Sequence, residues 1–234
     1  MARKGQKRGL KRSKAPKRWS IARKEMKWTI NVHPGPHNKE AIPLAFILRD
    51  YLGYALTLRE ARRILNERKV KINGIVRTDF KFPIGIMDVI EIPVTEESYR
   101  MLPDWKGNLI MHPIKGEETH FRPLKIVGKH LVKKGAIQLR FHDGTTLQVG
   151  KEVKYTCDGT VLYDFESRTV RDYFPFAKGN YAVITSGRNV FRTGNITLVD
   201  ENMVEIAGEE SYKTLKDNVF VIGTKESAIS LPGD

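Results

Sequence analysis

The chain has 234 residues, of which 40% are hydrophobic and 29% are charged, and its formal net charge is +14. This is the composition of a chain that folds around a buried core, not of a disordered one. No apolar run reaches the roughly 18 residues of a membrane span, and none follows the basic N-terminus, so the sequence predicts neither a membrane helix nor a secretory signal.

The excess positive charge is concentrated at the N-terminus. Residues 1–28 contain twelve Lys or Arg against the single acid Glu25, so this segment carries +11 of the net charge. Few large apolar residues precede Ile21, and a segment with this composition is expected to be disordered until it meets a polyanion. Nucleic acid is favoured over a membrane surface, because neither a lipid signal nor an amphipathic helix accompanies the charges. The predicted RNA-binding side chains here are Arg3, Lys4, Lys7, Arg8, Lys11, Arg12, Lys14, Lys17 and Arg18.

Residues 1–40 are thus predicted to be a basic arm and linker. Trp19 and Trp28 lie within it, and two interpretations stay open: stacking on bases, or anchoring the arm to the protein. Residues 33–37, His-Pro-Gly-Pro-His, contain two prolines, which predicts a rigid segment outside helices and central strands. Two histidines four apart without a helix or a third ligand do not indicate a metal site.

Residues 41–66 predict two short helices. Leu44, Ile47, Leu48 and Tyr51 recur at helical spacing until Gly53 breaks the pattern. Thr57 is then expected to cap the second helix, with Glu60 three residues later completing a capping box. The exposed face of that helix and the residue after it contribute further candidate RNA-binding side chains, namely Arg59, Arg62, Arg63 and Arg68. The alternative is an ordinary solvated face whose arginines pair with Glu60 and Glu67.

Residues 69–77 predict a β-hairpin with its turn at Asn73-Gly74. We expect Lys69, Lys71 and Arg77 to share one face of it, as RNA contacts or as charges that protect an exposed edge. Phe82 and residues 84–92 are expected to return as a further strand. Asn73 is also a candidate RNA contact.

These elements resemble a known RNA-binding module. Leu-Arg-Glu-Ala-Arg-Arg-Ile-Leu at 58–65, Val-Lys-Ile-Asn-Gly at 70–74 and Gly-Ile-Met-Asp-Val-Ile at 85–90 are similar to the S4-type RNA-binding domain, named after small-subunit ribosomal protein four. The resemblance covers about residues 42–92 and implies that the arginine-bearing helix and the following strand-turn grip structured RNA. We therefore assign residues 41–92 to this domain.

Residues 93–175 predict a central all-β domain, and its short strands with regular turns indicate a small barrel. Asp143-Gly144 separates the predicted strands 137–141 and 145–149, and Asp158-Gly159 separates 153–157 and 160–165. The single cysteine, Cys157, excludes an internal disulfide and a Cys-based zinc site, and its position in a strand-like run predicts a small buried side chain. Asp143 and Asp158 suit turns and do not indicate a catalytic pair.

Residues 176–234 resemble a KOW motif followed by a short tail. The runs Lys178 to Gly187 and Arg192 to Ile196 match its strand, glycine-bearing loop and second strand, which implies a five-stranded SH3-like barrel. Strands 203–207 and 219–222 are expected to complete it. Lys178, Arg188 and Arg192 are the candidate RNA contacts of this domain.

The order of these parts is more specific than any one of them. A basic arm, an S4-type domain, a β-rich middle and a KOW barrel resemble the archaeal and eukaryotic small-subunit ribosomal protein family four-e across the whole chain. The resemblance implies an α+β multidomain fold and a structural role in the cytoplasmic ribosome, with small-subunit ribosomal RNA and neighbouring ribosomal proteins as partners. It implies no catalytic residues, metal, cofactor or small-molecule substrate.

Single parts of this sequence also occur in two other classes of protein. S4-type domains also occur appended to RNA-modifying enzymes, but the 142 residues after position 92 carry no catalytic motif. A KOW barrel also occurs in transcription-elongation factors, which bind polymerase and need no S4-type domain.

Overall fold

In the computed structural model the described residues are 9–22, 24–37, 41–132, 135–150, 155–208 and 210–232. Within these ranges the strands form three five-stranded sheets and two short two-stranded pairings, all antiparallel. No helix in the described part of the chain is long and apolar enough to cross a membrane.

The arm folds back on itself. Strand β1 (Leu10–Lys11) pairs with β2 (Trp28–Thr29), and a short 3-10 turn (Arg12–Lys14) follows β1. The guanidinium of Arg12 donates to the carbonyl oxygens of Ile21 and Ala22 at 2.7 and 2.9 Å. This hydrogen bonding closes the segment into a loop in spite of its charge.

Trp19 attaches that loop to the body. Its side chain is only 4% exposed, its ring meets Phe46 edge-on at 5.3 Å, and its indole N–H donates to the carbonyl oxygen of Ala41 at 3.1 Å. The expectation of a disordered arm is therefore wrong for residues 9–22 and 24–37. Burial of the Trp19 indole stabilises the ordered arm and offsets part of the conformational entropy that the neighbouring residues lose on ordering. The first eight residues lie outside the described ranges.

The next region contains both helices and the start of a sheet. Its elements are β3 (Ile42–Pro43), α1 (Leu44–Phe46), a π-helical turn (Ile47–Tyr51), α2 (Leu58–Asn66), β4 (Lys71–Ile72), β5 (Ile75–Val76), β6 (Pro83–Ile84) and β7 (Val89–Ile92). The predicted capping box is present: the Thr57 hydroxyl accepts from the Glu60 amide, and the Glu60 carboxylate accepts from the Thr57 amide, both at 3.3 Å. Helix α2 buries Ala61 and Leu65.

The hairpin of β4 and β5 turns at Asn73-Gly74, where both residues have positive φ, 51° and 74°, as the sequence predicted. Its register pairs Lys71 with Val76. Arg77 therefore falls opposite Val70, to whose carbonyl oxygen its amide donates at 3.2 Å. The prediction that Lys71 and Arg77 share a face is wrong, because a two-residue turn pairs odd positions with even ones.

The sheet that contains β4, β5 and β7 continues beyond residue 92. Strands β8 (Glu97–Pro103) and β9 (Leu109–Ile114) add to it in the order β5-β4-β7-β8-β9. Residue 92, the predicted domain boundary, consequently lies at the end of the central strand of a continuous sheet.

The second sheet forms the middle of the molecule. A 3-10 turn (Gly116–Thr119) precedes β10 (Phe121–Leu131), β11 (Ile137–Phe141), β12 (Thr146–Val149), β13 (Thr160–Asp164) and β14 (Val170–Phe174), in the order β12-β11-β10-β13-β14. The Asp143-Gly144 turn joins β11 to β12 as predicted.

The hairpin predicted around Asp158-Gly159 is wrong in its described part. Residues 155–157 are not strand, and β13 pairs with β10 and β14 instead; residues 151–154 lie outside the described ranges. Cys157 consequently lies exposed at a turn. The prediction of a small buried side chain at this position is wrong, because it assumed a strand.

The third sheet comprises β15 (Tyr181–Ile184), β16 (Thr193–Val199), β17 (Met203–Ala207), β18 (Ser211–Leu215) and, after a 3-10 turn (Lys216–Asn218), β19 (Val219–Gly223), in the order β18-β17-β16-β15-β19. All five strands contribute to one apolar cluster. At Gly194 a Cβ would lie 2.2 Å from the carbonyl oxygen of Ala207, so only glycine permits this close strand approach.

Three buried cations tie the sheets together. Arg100 on β8 donates to the Glu118 carboxylate at 2.6 Å and to the carbonyl oxygen of Phe121 at 3.1 Å. Lys125 on β10 donates to three carbonyl oxygens beside β19, those of Lys216, Asp217 and Val219, at 3.2, 3.1 and 2.8 Å. The third is Arg122.

Arg122 is the centre of a cluster that we call the charge junction, formed by His37, Asp88, Arg122, His142 and Asp143. Its two terminal nitrogens donate to Asp88 and Asp143, each at 2.7 Å, and His37 lies 2.8 Å from the other oxygen of Asp88. The arm, the first sheet and the second sheet each supply one or more of these groups. Their positions relative to one another are therefore set by paired charges as well as by apolar packing.

Candidate nucleic-acid interface

Helix α2 presents a row of cations to solvent. Burial of Ala61 and Leu65 turns the opposite side of the helix outward, and this outward side with the residues after it forms what we call the arginine face: Arg59, Arg62, Arg63 and Arg68, all exposed. Residues three and four apart share a helix face, so the side chains of α2 within this set are neighbours.

The arginine face is only partly neutralised. Glu67 pairs with Arg63 at 3.1 Å and with Lys69 at 2.5 Å, and these hydrogen bonds lower the pKa of Glu67. In contrast, Arg59, Arg62 and Arg68 form no ion pair with any acid in the described part of the chain. The alternative was an ordinary solvated face, with these arginines paired to Glu60 and Glu67. It accounts for one of the four arginines, Arg63.

Two aromatic rings support arginines beside this face. The guanidinium of Arg62 lies 4.0 Å from the Phe80 ring centroid, and that of Arg77 lies 4.3 Å from the Phe82 ring centroid. Stacking holds a guanidinium flat while leaving its hydrogen-bonding edge available. The support of arginines by Phe80 and Phe82 was not predicted from the sequence, although the Phe-Lys-Phe alternation at 80–82 could have indicated it.

The other predicted RNA-binding residues of the hairpin differ in how far their side chains are exposed to solvent. Lys69 is exposed, and Lys71 is partly exposed with Glu91 3.9 Å away. The side chain of Asn73 is used inside the protein: its amide N–H donates to Asp88 at 2.8 Å and its oxygen accepts from the Val89 amide at 2.9 Å.

The arm candidates fall into three groups. Lys11, Lys14 and Lys17 are exposed, whereas Arg12 and Arg18 are partly buried and Arg12 is hydrogen-bonded within the arm. Arg3, Lys4, Lys7 and Arg8 lie outside the described residues. Phosphate neutralisation by the described arm is therefore left mainly to its three lysines.

The third sheet carries its candidates separately. Lys178 and Arg188 are exposed in its loops, and the exposed Arg192 lies 5.4 Å from the Tyr212 ring centroid. The predicted cations of the described residues therefore lie in three parts of the fold: the arm, the arginine face with its hairpin, and the third sheet.

The chain is similar to known proteins along most of its length. Three family models match consecutive parts of the chain: an RS4NT domain over residues 4–40, an S4 domain over residues 43–90 and ribosomal family S4e over residues 95–170. The protein named small ribosomal subunit protein eS4 from Methanothermobacter thermautotrophicus is 40% identical over 233 residues, which cover 96% of each chain. The chain belongs to the S4e family.

Further relatives agree in length and fold. The small ribosomal subunit protein eS4 of Aeropyrum pernix is 40% identical over 249 residues, covering 99% of this chain and 98% of that one. The crystal structure of 30S ribosomal protein S4e from Thermoplasma acidophilum is 33% identical, with a TM-score of 0.70 over 81% of this chain and 99% of that chain. The family resemblance stated from the sequence motifs is therefore confirmed. The S4 domain match also contains helix α2 and the hairpin, the two elements that carry the arginine face and Arg77.

Proposed function

We propose that this S4e-family chain is a structural constituent of the small ribosomal subunit that binds ribosomal RNA and supports subunit assembly and translation in the cytoplasm. The observation that carries the proposal is an arginine face on the S4 domain, largely without acidic partners among the described residues, in a chain 40% identical to proteins named small ribosomal subunit protein eS4. Its partners are small-subunit ribosomal RNA and neighbouring ribosomal proteins. It is not an enzyme and needs no cofactor.

The arginine face and hairpin form the specific part of this interface. Arginine suits folded RNA because its planar fork bridges phosphate oxygens and stacks on unpaired bases. The contacts we assign to it are Arg59, Arg62, Arg63, Arg68, Lys69, Lys71 and Arg77. Asn73, whose side chain is hydrogen-bonded to Asp88 and Val89, fixes the turn between them.

The arm supplies the non-specific part. Exposed lysines on a small ordered loop, anchored through Trp19, are suited to neutralise phosphates between RNA helices. The described contacts are Lys11, Lys14 and Lys17, with Arg12 and Arg18 beside them, and the first eight residues add Arg3, Lys4, Lys7 and Arg8.

The third sheet forms a third contact with the RNA. We assign it as a KOW-type, SH3-like barrel on the strength of five strands around one apolar cluster and the glycine-dependent approach at Gly194. Lys178, Arg188 and Arg192 are its RNA-facing cations.

Crosslinking in cells, with sequencing of the attached RNA and a sucrose gradient of the same lysate, tests the function directly. The expected result is co-migration with small subunits and crosslinks at a few fixed positions of small-subunit ribosomal RNA. Recovery in the light fractions with crosslinks to nascent messages or transfer RNA would instead favour an elongation factor or an RNA-modifying enzyme, respectively.

A further inference from the structure

A cavity of about 220 Å³ lies beside the β4–β5 hairpin, between it and the second sheet. The hairpin tip touches that sheet: a Cβ at Gly74 would lie 3.0 Å from the Cβ of Phe165. The cavity is bounded mostly by rings and branched apolar side chains, among them Ile75, Phe82, Phe141, Leu147, Tyr163 and Phe165. Its volume is below the roughly 300–1,000 Å³ of sites that hold drug-sized molecules, so it suits a single flat ring system.

Two arginines that line this cavity each have a buried donor without an acceptor. The Nε atoms of Arg77 and Arg122 are buried and have no hydrogen-bond partner among the described protein groups. The terminal nitrogens of Arg122 are taken by Asp88 and Asp143, whereas the Arg77 guanidinium stacks on Phe82. Leaving a buried donor unpaired is unfavourable, so an acceptor that reaches the Arg77 guanidinium from the cavity would be stabilised.

The cavity is also close to the arginine face. Phe80 and Phe82 are two residues apart, and each supports one arginine, Arg62 on the side of helix α2 and Arg77 at the cavity. An RNA strand whose phosphates contact Arg62 and its neighbours therefore passes near the cavity opening. A peptide's apolar side chain would fill the space but would leave the Arg77 donor unpaired, whereas a nucleobase offers a ring and an acceptor together.

We propose that this cavity receives one unpaired nucleobase with a carbonyl edge, guanine or uracil, from the RNA bound by the arginine face. The base stacks between the aromatic walls, and its carbonyl oxygen accepts from Arg77. Adenine is disfavoured because it presents an exocyclic amine, a second donor, where guanine and uracil present a carbonyl oxygen to Arg77. This inference rests on the proposed function and adds to it a base-specific contact.

Photocrosslinking identifies the occupant. Full-length protein is bound to small-subunit ribosomal RNA transcribed with 4-thiouridine in one preparation and 6-thioguanosine in another, and the peptide–nucleotide adducts are analysed by mass spectrometry. The expected result is an adduct, in one of the two preparations, between a single RNA position and a peptide that carries Phe82, Phe141, Tyr163 or Phe165. If adducts form only on peptides of helix α2 or the arm, RNA binding stands and the base cavity is refuted.

Affinity measurements then test the role of Arg77. Arg77→Lys keeps the charge and removes the planar fork, so it should lose roughly tenfold in affinity, the size expected for loss of one hydrogen bond from a charged donor. RNA with an abasic residue at the mapped position should bind the wild type about tenfold more weakly and bind Arg77→Lys with little further loss. Lys225→Gln, an exposed charge change on another part of the molecule, is the matched control and should leave both affinities unchanged.

The outcomes separate the two proposals. Equal affinity of Arg77→Lys and wild type for intact RNA would mean that Arg77 serves only as a charge, and the base cavity would be abandoned. Failure of the wild type to prefer small-subunit ribosomal RNA over unrelated structured RNA would overturn the proposed function and this inference with it. Phe82→Leu, checked for folding by urea denaturation, provides a second variant with the same expected loss.

Discussion

Arginine has opposite roles in two regions of this molecule. On the arginine face, Arg59, Arg62 and Arg68 stand in solvent without acidic partners in the described structure. In the charge junction, Arg122 is 7% exposed and bonded to two aspartates from different parts of the fold. Exposure decides the difference: hydrated charges add little to stability and remain available to a polyanion, whereas a buried charge requires its partners.

The groups around Arg122 show how that requirement is met. Burial by itself would raise the pKa of Asp88, but the charges of His37 and Arg122 outweigh it and hold that pKa well below its usual range. Burial would likewise lower the pKa of His37, and the Asp88 charge raises it above 6.5 instead. The junction is therefore a set of mutually stabilised charges, each of which depends on the others.

The largest difference between the two regions should appear on replacing an arginine by methionine. Arg122→Met removes the partner of two buried carboxylates and should lower the free energy of unfolding by about 3–5 kcal/mol. Arg62→Met, the matched change on the arginine face, should cost no more than about 1 kcal/mol, the loss of one cation–π contact. Urea denaturation of both variants measures this, and similar losses for the two would contradict the comparison.

The junction should also respond to acid through His142. Burial, together with the charge of His37, lowers the pKa of His142 from 6.5 to about 4. The unfolded chain therefore binds this proton first as pH falls, so the stability that His142 contributes is complete above pH 6.5 and is lost progressively toward pH 4, by on the order of 3 kcal/mol.

Unfolding free energies measured by urea between pH 7.5 and 4 test this expectation. His142→Gln keeps an N–H that can donate to Ile86, whose carbonyl oxygen lies 3.3 Å from His142 Nε2, and removes the titration. Its stability should fall less steeply below pH 6.5 than that of the wild type. Identical slopes would show that the acid response comes from other groups.

The arm lysines should control the salt dependence of RNA binding with little effect on stability. Replacing Lys11, Lys14 and Lys17 by Gln should reduce the log–log salt slope by roughly 2–3, since each phosphate contact contributes about 0.7–0.9. Filter binding at several salt concentrations measures the slope. The same change at three exposed lysines elsewhere, Lys106, Lys213 and Lys225, should alter it much less, and equal reductions would remove the special role of the arm.

The smallest expected effect distinguishes arginines within the arginine face. Arg62→Gln should reduce the preference for cognate over unrelated RNA by about fivefold, roughly 1 kcal/mol. The reason is that this guanidinium is held flat on Phe80 and pairs with no acid in the described part of the chain. Arg63→Gln should have a weaker effect, because Glu67 already neutralises Arg63 in part. Competition binding with both variants checks this, and a larger effect at Arg63 would reverse the assignment.

The sequence by itself determined the elements that obey local rules. The capping box at Thr57, the Asn73-Gly74 turn and the strands 137–141 and 203–207 follow from backbone preferences within a few residues, and the spacing of the arginines along α2 follows from helical geometry. The motifs in their order were also sufficient for the family. All of these depend on short-range patterns that one chain displays directly.

Only the tertiary structure decided which charged and aromatic residues are buried. Arg122 and Arg62 have the same side chain in comparably polar surroundings along the chain, yet one lies between Asp88 and Asp143 and the other in solvent. The anchoring of the arm by Trp19 and the pairing of β13 with β10 join residues that are distant in sequence. Burial of a side chain results from such long-range contacts. A local sequence pattern does not specify which distant part of the chain will cover that side chain.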